Sequence, residues 1–134
     1  MLPITLDDIR LFVHVCAAVV WVGGTLVWIV LMPTLRRVGA DAPAAVARRL
    51  SPVLWGAFAL LVATGLWNLV AVDPGARSSA YQTTLAVKLA VVAMSGAAAF
   101  AHTRVSTTRA RGVWAAFSSL SAIAAMLLGV VLAG

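Results

Sequence analysis

The chain has 134 residues, room for one domain, and 63% of them are hydrophobic while only 10% are charged. Soluble globular chains are roughly 45–50% apolar and about 25% charged, so an ordinary soluble domain is excluded, and a mean hydropathy of +1.03 points to the bilayer. In a soluble protein the net charge of +6 would suggest a nucleic-acid partner; here its first assignment is orientation in the membrane.

A crossing helix needs about 20 mostly apolar residues. Four runs meet that length, about 9–32, 51–72, 82–102 and 113–132. They are too continuous, and too free of period-2 alternation, for β-barrel strands. The reading is an all-α polytopic membrane protein, a single four-helix transmembrane bundle over residues 1–134. Thr5-Leu6-Asp7-Asp8 reads as a capping box feeding the first span. Pro33 is expected to follow that span, and residues 41–50 to form a short surface helix. Ser51 and Pro52 read as N-cap and first helical position of the second span. Asp73-Pro74-Gly75 reads as a turn before the third. No basic segment or cleavage site precedes the first span, so no removable signal peptide is expected.

Arginine placement predicts the topology. Arg36, Arg37, Arg48 and Arg49 follow the first span, and Arg104, Arg109 and Arg111 follow the third. The opposite face holds Arg10 and Arg77 with Asp7, Asp8 and Asp73. The positive-inside rule then puts the two basic loops in the cytoplasm and both termini outside, in a bacterial-type inner membrane. Trp28, Trp55 and Trp114 fall near the cytoplasmic interface and Tyr81 near the outer one, as an aromatic belt would place them. Orientation and contact with anionic lipid account for the basic surplus, and no nucleic acid is required.

Few polar groups remain inside the spans. His14, Lys88, Thr64, Trp67, Asn68 and Met126 are each expected roughly 6–12 Å below the outer boundary. His102 lies about 21 Å along the third helix from Lys88, so it is not expected to share a metal ion with His14 within one subunit. On the first span His14, Ala18, Trp21, Thr25 and Trp28 share a face. On the third, Lys88, Ser95 and His102 form a stripe spaced by seven. Polar groups in a span face the bundle interior or a wet cavity, and abundant Ala and Gly allow close helix approach or leave a slot for a flat ligand.

Each candidate has a plain alternative. Lys88 can snorkel its amine to the interface, His14 can bond a neighbouring helix, and His102 suits an interfacial position. Met126 suits core or lipid-facing filler, and Trp21 with Gly23 and Gly24 suits close packing. Cys16, the sole cysteine, forms no intrachain disulfide and lies about 200° around the helix from His14.

His14 followed by Trp21-Val22-Gly23-Gly24 resembles the first-helix signature of the copper resistance protein D family. Arg48-Arg49-Leu50-Ser51-Pro52, Thr64-Gly65-Leu66 and Lys88-Leu89 extend the likeness over nearly the whole chain. The same elements are similar to the short four-helix bacterial membrane protoporphyrinogen oxidases. That resemblance implies haem b associated with His14 and Lys88. Gly23 stands where the oxidases usually carry alanine, and Met32-Pro33-Thr34-Leu35-Arg36 replaces their Tyr-Leu-Pro-Arg-Leu-like stretch, which favours the copper type.

Three functions follow. The first is a copper-binding or copper-moving module, with His14 and Met126 as metal ligands, since copper(I) prefers soft sulfur and imidazole donors. The second is a haem b-binding redox protein or membrane oxidoreductase. It would have His14 as axial ligand, Lys88 as second ligand or propionate partner, Trp67 and Asn68 lining the cofactor, and exchange with quinone. The third is a structural subunit of a larger membrane complex or homo-oligomer. Nothing in the chain matches a nucleotide loop or a hydrolase constellation.

Overall fold

In the computed structural model, which describes residues 3–134, all regular structure among those residues is helical. Helix α1 spans Leu6–Val38, α2 Ala42–Val72, α3 Ser79–Arg104 and α4 Thr108–Ala133, with a 3-10 turn at Pro74–Ala76 between α2 and α3. All four helices are long and apolar enough to cross a membrane. They pair as two helical hairpins, α1 with α2 and α3 with α4, each a compact unit. In each hairpin the end bearing its connecting loop is the loop end and the other the open end.

Helix starts follow local chemistry. Thr5 and Asp8 form the expected capping box: Asp8 N donates to Thr5 Oγ1 at 3.2 Å and Thr5 N to Asp8 Oδ2 at 2.9 Å. Ser78 and Thr107 cap α3 and α4, their hydroxyls accepting from Tyr81 N and Ala110 N. Asp73 adopts a left-handed conformation, φ 47°, and enters the expected turn.

The helices are longer than the apolar runs, and two proline expectations are corrected. Pro33 lies inside α1, which continues through Arg36 and Arg37 in its last turn, where cations favour the negative end of the helix dipole. Pro52 also lies inside its helix. Helix α2 starts at Ala42, so residues 42–50 are part of it rather than a separate surface helix. Pro43 occupies the tolerated first turn, and the run of alanine, arginine and leucine that follows is strongly helix-forming. Membrane helices tolerate an interior proline because neighbouring groups re-satisfy the freed carbonyl.

Packing inverts the soluble pattern. Small side chains such as Ala17, Ala57, Ala98, Ala122 and Ser118 are buried, while Phe12, Val30, Val70 and Leu127 are exposed. Close approach of small residues is how helices associate where lipid is as apolar as leucine. In the first hairpin Gly24 sits so tightly against Leu54 that a Cβ there would overlap the leucine side chain. Trp21 packs at a tilt against Phe58 and Trp55, with centroids 4.7 and 5.7 Å apart. In the second hairpin Ser95 and Ser118 exchange hydrogen bonds, each hydroxyl donating to the other's carbonyl at 2.9 Å.

Candidate functional site

The first hairpin brings two polar side chains of its apolar spans together. His14 and Thr64, fifty residues apart, meet with Nδ1 to Oγ1 at 2.8 Å. This contact and that of Gly24 with Leu54 fix one antiparallel register, which puts Arg10 of α1 level with Asn68 of α2. That level is one turn, about 5.4 Å, from His14 toward the open end. Trp21, Trp55 and Phe58 lie on the loop-end side of the histidine.

The hydrogen-bond chain sets the tautomer of His14. Thr64 Oγ1 donates to Leu60 O at 2.7 Å, with Leu61 O at 3.2 Å beside it. A threonine hydroxyl carries one hydrogen. With that hydrogen on the carbonyl, the oxygen accepts from Nδ1–H of His14, and the ring's lone pair falls on Nε2. Gly65 leaves room beside the ring, since a Cβ there would stand 3.6 Å from His14 Cε1.

Arg10, counted among the charges of the opposite face, is largely buried. Its residue is 6% exposed. Nη1 pairs with Asp7 Oδ1 at 3.1 Å, while Nε is buried without a hydrogen-bond partner, as is Oδ1 of Asn68. Sequence reasoning missed Arg10; its i, i+4 spacing to His14, matching Thr64 to Asn68, was the available signal. Trp67, next to Asn68, is half-exposed.

The stripe on α3 engages α4 at all three positions. Lys88 Nζ lies against Gly129, 3.1 Å from where a Cβ would stand. Ser95 bonds Ser118, and His102 Nδ1 donates to Arg111 O at 2.8 Å. Arg111 Nε in turn donates to Val105 O at 2.9 Å, so His102 helps close the α3–α4 loop. Lys88 is half-buried, and neither α3 nor α4 contains an acidic residue. Met126, one turn from Gly129 on α4, is 46% exposed. Among the described residues, no three His, Cys, Asp or Glu side chains gather to hold a metal ion, and Cys16 is exposed.

No protein-family model matches the chain, and no curated protein and no solved structure matches it either.

Proposed function

We propose that the chain is a multi-pass membrane redox protein that binds haem b through His14, in the manner of the membrane protoporphyrinogen oxidases its sequence resembles. The observation that carries this reading is the Leu60–Thr64–His14 hydrogen-bond chain. Histidines that ligate metals characteristically donate the other ring N–H to a fixed acceptor, which sets the tautomer and the ring orientation. Thr64 gives His14 that arrangement, with the lone pair on Nε2. The donor set fits haem better than copper. One oriented imidazole is a sufficient protein ligand for a haem iron, whereas a copper(I) site draws on several soft donors. On α1 the sulfur of Cys16 is exposed and lies around the helix from His14.

Lys88 enters the proposal as the second residue the resemblance implicates. When bound, haem would supply one-electron chemistry within reach of the quinone pool. His14 orients, Thr64 holds the ring, and the Trp21–Trp55–Phe58 cluster excludes water on the loop-end side.

The test is optical. Protein expressed with haem available and purified in mild detergent is expected to show a Soret band and a b-type reduced-minus-oxidised spectrum. His14→Ala is expected to abolish both while leaving the helical circular dichroism intact. A wild-type protein without a Soret band would overturn the reading, and stoichiometric copper lost on His14→Ala would transfer the site to copper.

A further inference from the structure

We propose that Arg10 and Asn68 form a carboxylate subsite, one turn from His14 toward the open end of the first hairpin, which takes a propionate of the tetrapyrrole bound at His14. The inference rests on the haem reading for the identity of the ligand. The case for a carboxylate comes from the two side chains themselves.

Two buried polar atoms without hydrogen-bond partners, Arg10 Nε and Asn68 Oδ1, lie at one level of one hairpin. Leaving such groups buried and unmet is costly, most of all for a charged one. Their chemistry says what would satisfy them. A guanidinium has two kinds of edge: Nε–H and one Nη2–H run parallel along one, and Nη1 lies on the other. Asp7 occupies Nη1, and its side chain is 74% exposed, so water screens the carboxylate of this pair. The Nε/Nη2 edge is the fork that matches the two oxygens of a carboxylate. All four acidic residues of the chain, Asp7, Asp8, Asp41 and Asp73, lie outside the apolar runs. This edge, with its Nε buried and unpartnered, therefore has no acid within the hairpin's apolar runs to meet.

Asn68 completes the recognition. No donor fixes its Oδ1 in place, so rotation of the amide turns its NH2 toward a second carboxylate oxygen. The spacing also suits one ligand. Arg10 and His14 are i, i+4 on α1, Thr64 and Asn68 are i, i+4 on α2, and all four share one face of the hairpin. A flat ligand whose centre meets His14 would carry its carboxylates toward the open end, where Arg10 lies four residues into α1.

The experiment separates carboxylate recognition from iron ligation by using metal-free protoporphyrin IX and its dimethyl ester as probes. Binding to the full-length, detergent-purified chain is followed by porphyrin fluorescence. The wild type is expected to bind the diacid about tenfold or more tighter than the diester, the size of a charge-assisted pair. Arg10→Met should erase that preference, and His14→Ala should retain it, because no iron is present. Arg10→Lys, which keeps the charge without the fork, is expected to hold only part of the preference and serves if Arg10→Met fails to fold. Asp7→Asn, which removes the competing acid, should bind the diacid at least as tightly as the wild type. Equal binding of diacid and diester by the wild type, or a preference that survives Arg10→Met, would overturn the subsite even where a Soret band upholds haem at His14. An Arg10-dependent preference in a protein without a Soret band would uphold the subsite and sink iron ligation instead.

Discussion

A histidine becomes a directional ligand only when one of its two nitrogens is committed elsewhere, and in this chain that commitment belongs to Thr64. Replacing Thr64 by Val keeps the β-branched shape but leaves Nδ1–H without its acceptor. Loss of such outer-shell partners typically costs 10–100-fold in metal affinity. Thr64→Val is therefore expected to weaken haem retention by about that factor and to shift the reduction potential, whereas Thr64→Ser should retain both. Haem titration with potentiometry reads the difference; equal retention in Val and Ser variants would remove Thr64 from the site. Much of this layer was legible in the sequence, because His14, Thr64 and Asn68 stand out in spans that are otherwise apolar. Arg10 was not. An arginine near the end of a span is expected to extend its head group to water, and only the packed side chain shows its Nε turned inward. The pairing of Thr64 with Leu60 O was equally invisible, since a threonine in an apolar run gives no sign of where its one hydrogen goes.

At the scale of elements, hairpin geometry depends on a few tight contacts between helices. Gly24 is one: any side chain there meets Leu54. Gly24→Val is expected to destabilise the α1–α2 pair by about 1–3 kcal/mol, the usual cost of overpacking, and to disturb the His14–Thr64 register with it. Thermal denaturation in detergent measures the first effect and haem retention the second. Unchanged melting would show that α1 and α2 adjust at Leu54 without loss. The reciprocal Ser95–Ser118 bonds are the counterpart in the second hairpin. Hydrogen bonds between membrane helices average about 0.6 kcal/mol, so Ser118→Ala should lower stability by an amount of that order, and a much larger loss would mean the pair does more than join α3 to α4. The stripe of Lys88, Ser95 and His102 was readable from its period of seven, and each member does meet α4. The helix ends were less legible. Pro33 and Ser51-Pro52 carry the signals that end and start helices in water, yet α1 and α2 run through both prolines.

For the whole molecule, the distribution of cations makes an orientation testable. Arg36 and Arg37 close α1, Arg48 and Arg49 lie near the start of α2, Arg104 closes α3, and Arg109 and Arg111 open α4. Seven basic residues thus adjoin the loop ends of the two hairpins, against Arg10 and Arg77 near the open ends. Helix α1, with 33 residues, is about 50 Å long, well beyond the roughly 30 Å hydrocarbon core. Its arginine-bearing end therefore has length to reach past the hydrocarbon, into the headgroups where each basic residue gains about 1 kcal/mol from anionic lipid. This bias predicts that both loop ends stay in the cytoplasm and both termini lie across the membrane, because an even number of crossings returns the chain to the side it began on. Alkaline phosphatase fused after Gly134 should be active and green fluorescent protein at the same position dark, with the opposite result for fusions in the 105–107 loop. Replacing Arg36, Arg37, Arg48 and Arg49 together by Gln removes most of the asymmetry of the first hairpin, and the C-terminal reporters should then give a mixed signal. A fluorescent C-terminal fusion in the wild type would reverse the orientation and put the His14 layer on the cytoplasmic side of the bilayer, where any carboxylate-bearing ligand would have to arrive from the cell interior.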